Sequence, residues 1–146
     1  MFEKILYPTD FSDASKKALN YIKKLKEAGT KEVVVLHVID QREIEQLSHL
    51  PEIDVMAEDL ETRKVAGAKK DMKEIEGELT KAGFKVKTRI DKGIPFRDIL
   101  KAEEEEDVSV VVLGSHGKSC IAEMLLGSVS EKVVRKSTKP VLVVRR

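Results

Sequence analysis

Apolar residues along the chain fall into short continuous runs that alternate with longer stretches of helical period. Residues 5–7 (Ile-Leu-Tyr), 33–38, 108–113 and 140–144 are apolar runs of strand length. Runs that are apolar on both faces predict buried, parallel strands. Residues 84–90 differ, because Phe84, Val86, Thr88 and Ile90 alternate with basic residues. That alternation predicts a half-exposed or edge strand.

Between the strands, Ala14, Ala18, Ile22 and Leu25 line one face of a helix over residues 13–28, with Ser12 as its N-cap and Gly29 just past its end. Ala68, Met72, Ile75 and Leu79 form a second stripe in a helix over residues 55–82, closed by Gly83. Pro95 suits the first turn of a helix carrying Phe96, Ile99 and Leu100. Val129, Val133 and Val134 belong to a last helix. Residues 39–54, with Pro51, have no clear period and are expected to be irregular.

Strands alternating with helices predict an α/β fold: one open, five-stranded parallel sheet with helices on both faces. Right-handed crossovers leave few topologies, one of which is the strand order 3-2-1-4-5. Its switch point lies between the carboxyl ends of strands 1 and 4, where open α/β sheets bind ligands. The residues delivered there are Pro8, Thr9 and Asp10 after strand 1, and the segment from Gly114 onward after strand 4.

With 146 residues, the chain is expected to form a single domain over 1–146. A net charge of +1 argues against nucleic acid or a membrane surface as a partner. No apolar run reaches the roughly 18 residues that span a bilayer. The start carries no secretory signal pattern, and a single cysteine cannot form an internal disulfide. A cytoplasmic protein is the expectation.

The segment from Gly114 to Ser130 has glycines at 114, 117 and 127, followed by a hydroxyl residue. Glycines let backbone approach a ligand and permit positive φ. A helix beginning at Gly127-Ser128 would aim free amides at an anion, and the Ser128 and Ser130 hydroxyls would add donors. From spacing alone, a phosphate cradle and a structural turn both stay open. A P-loop is excluded, since the position five before Gly117 is Val112; a dinucleotide fingerprint is excluded, since no glycine follows strand 1.

The pattern Gly114-x2-Gly117-x9-Gly127-Ser128 resembles the ATP-binding signature of the universal stress protein family. It occurs in order with Tyr7-Pro8-Thr9-Asp10-Phe11-Ser12, Leu36-His37-Val38, Gly93-Ile94-Pro95 and Lys139-Pro140-Val141-Leu142-Val143-Val144, which also resemble that family. The resemblance implies a Rossmann-like fold of the adenine nucleotide alpha hydrolase type, with ATP as ligand. It implies that Pro8, Thr9, Asp10 and the backbone of Val38 hold the nucleoside. Leu113, Gly114, Ser115 and Gly117 would line the ribose and inner phosphates, and Gly127, Ser128, Val129 and Ser130 the outer ones. It also implies a homodimer. Mg²⁺ or Mn²⁺ is expected with the phosphates, and Asp10 is a candidate ligand.

Other readings of single residues stay open. Asp10 could instead cap the first helix. His116 and Lys118 are loop residues that could approach a phosphate or only face solvent. His116 and Cys120 lack the orienting group that a catalytic pair needs, so Cys120 reads as structural. His37 and His49 have no evident partners. The acidic run at 103–107 reads as a solvated helix end. Strand 5 would be an edge, yet Val141–Val144 is apolar on both faces; pairing with a second copy would cover it. The expected function is a nucleotide-dependent regulatory or stress-resistance factor with at most weak hydrolysis. The alternative is a slow ATPase or a phosphoryl or nucleotidyl transferase. A phospho-receiver or flavin switch ranks last, because Asp10 stands alone after strand 1.

Overall fold

The computed structural model describes residues 1–48, 54–117 and 126–145. Five strands, β1 (Lys4–Pro8), β2 (Glu32–Asp40), β3 (Lys85–Gly93), β4 (Val110–Gly114) and β5 (Val141–Val144), form one sheet of order β3-β2-β1-β4-β5. Every neighbouring pair is parallel. The expected order and the half-exposed edge character of β3 both hold.

Alternation along the central strands sends side chains into two separate cores. Ile5, Tyr7, Val33, Val35, Val110 and Val112 point to one face and pack against α1 (Asp13–Leu25) and α3 (Asp54–Lys81). Leu6, Val34, Leu36, Val111 and Leu113 point to the other, against α4 (Pro95–Glu105) and α5 (Ser128–Lys136). Continuous apolar runs were needed because both faces of β1, β2 and β4 are buried. Among the described residues, no helix is long and apolar enough to cross a membrane.

Ser12 caps α1 as expected, its side chain accepting from the Ser15 amide. The helix ends at Leu25 and tightens into a 3-10 turn over Lys26–Ala28, after which Gly29 adopts φ 98°. The main departure lies in residues 39–54. β2 runs on to Asp40, and α2 (Gln41–Ser48) follows. Its period is hard to read because a two-turn helix offers few apolar positions; Ile44 anchors it against Ile39, Val65 and Ile90. His49 and Pro51 lie outside the described residues.

The acidic run at 103–107 is a solvated helix end only in part, since Glu104, Glu105 and Asp107 are exposed but Glu103 and Glu106 are buried. Residues 103 and 106 lie one turn apart and face inward, while Glu104 and Glu105 are exposed. Glu103 is 3% exposed, and its carboxylate accepts from the Ser137 hydroxyl and from the Thr138 amide and hydroxyl, both at 3.0 Å. It thereby fixes the turn between α5 and β5. Glu106 accepts from Lys87 Nζ at 2.8 Å and Arg89 Nη1 at 3.0 Å.

The Lys87 hydrogen bond, followed by that from Arg89, holds the Glu106 carboxyl below its ordinary value of 4.5. A depressed folded value means that this contribution is fully present above pH 4.5 and is lost as pH falls through the folded value. Glu106→Gln should therefore destabilise the protein by about 1–2 kcal/mol at neutral pH. In urea denaturation series, that gap should close well below pH 4.5; a gap independent of pH would refute the assignment.

Candidate functional site

The loop leaving β1 is fixed by its own short polar side chains. The Thr9 amide donates to the Leu36 carbonyl at 2.8 Å, tying the loop to β2. Thr9 Oγ1 accepts from the Phe11 amide at 3.0 Å and from Ser15 Oγ at 2.6 Å. Tyr7 lies beneath, its hydroxyl donating to the Ser15 carbonyl at 2.6 Å, and burial raises its pKa. Phe11 takes φ 63°, a left-handed conformation uncommon outside glycine. The turn is held because the Phe11 amide is bonded and its ring stacks on His37 at 4.7 Å.

His37 thus has partners that the sequence did not suggest. Its Nδ1–H donates to the Thr9 carbonyl at 2.8 Å, since a carbonyl can only accept. Asp10 is not the cap of α1; its Oδ1 instead accepts from the Ser12 amide at 3.0 Å. Its Oδ2 faces the glycine-rich segment, 2.7 Å from where a β-carbon on Gly117 would stand.

After β4 the chain must pass close to α1. A β-carbon on Gly114 would lie 2.8 Å from the backbone of Ala14 and Ser15, so only glycine fits. Positive φ, the other use of glycine, is not what the three positions share: Gly127 has φ −68°. Ser115 is fully buried and serves as a brace. Its amide donates to the Val144 carbonyl at 2.8 Å, and its carbonyl accepts from the Gly127 amide at 2.7 Å. Ser115 Oγ and His116 Nδ1 are 2.7 Å apart, and Ser12 Oγ donates to the His116 carbonyl at 3.3 Å. Lys118 and Cys120 lie outside the described residues.

Gly127 is the N-cap of α5 and has no side chain with which to cap it. The amides of Ser128, Val129 and Ser130 therefore have no partner within the helix and point out of its positive end. The Ser130 hydroxyl, expected as a phosphate donor, gives its proton to the Gly114 carbonyl at 2.7 Å. What Ser130 offers at the helix start is its backbone N–H. Ser128 is exposed and lines the opening.

These elements enclose a cleft of about 670 Å³ at the carboxyl end of the sheet. Pro8, Thr9, Asp10 and Val38 line one side, and Leu113, Gly114 and Gly117 the floor. Gly127, Ser128, Val129 and Ser130 line the other side. Ser115 does not line it; it holds the pieces together from behind. Sequence reasoning missed a further wall, made by Asp40 and Glu43 at the start of α2 and by Lys64, Gly67 and Asp71 on α3. Spacing of Lys64, Gly67 and Asp71 by three and four residues on a helix was the available signal.

That wall is acidic. Asp40 is held below its ordinary value by the Arg42 guanidinium, whose Nε and Nη2 donate at 2.9 and 2.7 Å, and Glu43 pairs with Lys64. Among the described residues, no group of three or more His, Cys, Asp or Glu side chains forms a metal cage.

Comparison with known proteins agrees with this architecture. A family model described as the universal stress protein family matches residues 1–145. The universal stress protein MJ0577 of Methanocaldococcus jannaschii is 43% identical over 156 residues, covering 100% of this chain and 96% of the relative. The solved structure of MJ0577 superposes with a TM-score of 0.91 at 46% identity, covering 100% of this chain and 97% of that one. A universal stress protein solved in complex with cAMP shares the fold, with a TM-score of 0.68 at 23% identity over 99% of this chain and 97% of that one. The chain belongs to the universal stress protein family.

Proposed function

We propose that the cleft binds ATP and that the protein works as a nucleotide-dependent regulatory or stress-resistance factor. The observation that carries this reading is the start of α5. Three successive amides without helical partners, left uncapped by Gly127, face a cleft at the switch point of the sheet. In this reading the phosphates lie against Gly127, Ser128, Val129 and Ser130, and the nucleoside against Pro8, Thr9, Asp10 and Val38. The cAMP complex of a protein with the same fold supports an adenine nucleotide as the class of ligand.

A divalent cation suits this site only as a one-carboxylate partner. Asp10 Oδ2 faces the glycine-rich segment, and phosphate oxygens with water would complete an octahedral shell around Mg²⁺ or Mn²⁺. Such an ion would neutralise phosphate charge. Asp10, Thr9 and His37 would orient the nucleotide, and the α5 amides would hold its anionic end.

A homodimer through β5 completes the proposal. β5 is an edge strand, and Leu142 on it and Val134 on α5 are large apolar side chains exposed by 38% and 43%. A second copy pairing at this edge would cover both. Occupancy of the cleft would be communicated to this edge through Ser115, whose amide bonds the last residue of β5.

Calorimetric titration of ATP with Mg²⁺ into nucleotide-stripped protein tests the site. Saturable binding is expected. Gly127→Val should weaken it more than about tenfold, a loss above ~1.4 kcal/mol, because its side chain would press on the Ser115 carbonyl, 3.3 Å from the β-carbon. No binding by folded, stripped wild-type protein would refute ATP as ligand. Independently, Leu142→Lys should convert a dimer to a monomer in sedimentation experiments, with its circular dichroism unchanged. A monomeric wild type would refute the dimer.

A further inference from the structure

The outer side of the α5 end of the cleft carries a cluster of cations on one aromatic ring. Lys132 Nζ lies 4.6 Å from the centre of the Phe96 ring, Lys136 Nζ 5.3 Å and Arg97 Cζ 5.6 Å. All three cations are exposed, and none forms an ion pair among the described residues; on the same helix it is Arg135 that pairs with Glu131. The ring face attracts each of them, but it cannot neutralise three like charges at once. An anion would complete this arrangement.

Position links the cluster to the cleft. Phe96 follows Pro95, and Pro95, Ser128 and Val129 line the cleft. Lys132 stands one turn after Ser128 on the same helical face. Helical side chains lean toward the N-terminus of their helix, so the Lys132 chain leans back toward the uncapped amides. The cleft is therefore polarised. Its α2–α3 wall carries Asp40, Glu43 and Asp71 with Lys64, its α5 end carries a helix dipole, and the three cations stand just outside that end, next to the lining residues Pro95, Ser128 and Val129. An elongated ligand with one strongly anionic end has a single favourable orientation.

We propose that Lys132, held over the Phe96 ring and flanked by Lys136 and Arg97, reads the far end of a polyphosphate, so that the cleft selects nucleoside triphosphates over monophosphates. This inference rests on the nucleotide reading above. It assigns a specificity role to residues outside the glycine-rich signature. The attraction acts at an exposed site, so it is screened by salt and modest in size.

The test is calorimetric titration of ATP and of AMP into wild type, Lys132→Ala and Lys132→Arg at low and high ionic strength. Lys132→Ala should bind ATP about fivefold more weakly at low salt and bind AMP as wild type does, with an unchanged melting temperature. Lys132→Arg should keep the preference, and high salt should shrink it. Equal weakening of ATP and AMP, or no change in either, would overturn the proposal while leaving the nucleotide reading intact. The second of those results would leave the cations to an acidic partner protein. A wild type that binds neither nucleotide would overturn the nucleotide reading, and this inference with it.

Discussion

The backbone of Ser115 connects the parts of the molecule on which the cleft depends. Its amide takes the last carbonyl of β5, and its carbonyl takes the amide of Gly127 at the start of α5. One residue thus fixes the sheet edge and the helix terminus relative to each other. Both bonds are made in a fully buried setting, where losing either would leave an unsatisfied polar group at a cost of about 1–3 kcal/mol. The Ser130 hydroxyl adds a third link by donating to Gly114. The helix can stay uncapped at Gly127 because these bonds, rather than a capping side chain, hold it in place.

Much of this was legible in the sequence because the chemistry is local. Continuous apolar runs at β1, β2 and β4 reflect burial on two faces, and the alternation in β3 reflects its edge position. Gly114, Gly117 and Gly127 marked close approaches by their spacing, although what approaches Gly114 is α1 rather than a ligand. The parts that were not legible depend on contacts between distant segments. His37 acquires its role only when β2 is set beside the β1 loop, where it meets Thr9 and Phe11. Glu103 resembles any acidic helix residue until the turn after α5 is folded onto it. The helix α2 is only about two turns long, too short for its hydrophobic period to stand out, and part of the acidic wall of the cleft rests on it.

Electrostatics divides the molecule in a way that composition conceals. A net charge of +1 gives no general field, yet carboxylates, two of them paired with Arg42 and Lys64, gather at the α2–α3 wall, and cations with no ion pair among the described residues stand beside α5. Charge separation across one cleft orients a ligand more than it attracts one. At the far side of β3, Lys87 and Arg89 are instead paired with Glu106, and there the charges stabilise the fold.

The central claim is that the amides opening α5 receive the anionic end of a nucleotide. Amide hydrogen exchange of the protein with and without saturating ATP and Mg²⁺ tests it most directly. Slowed exchange is expected at Ser128, Val129 and Ser130, with the amides of β3 unaffected. Binding of ATP that leaves those three amides exchanging at their free rates would contradict it.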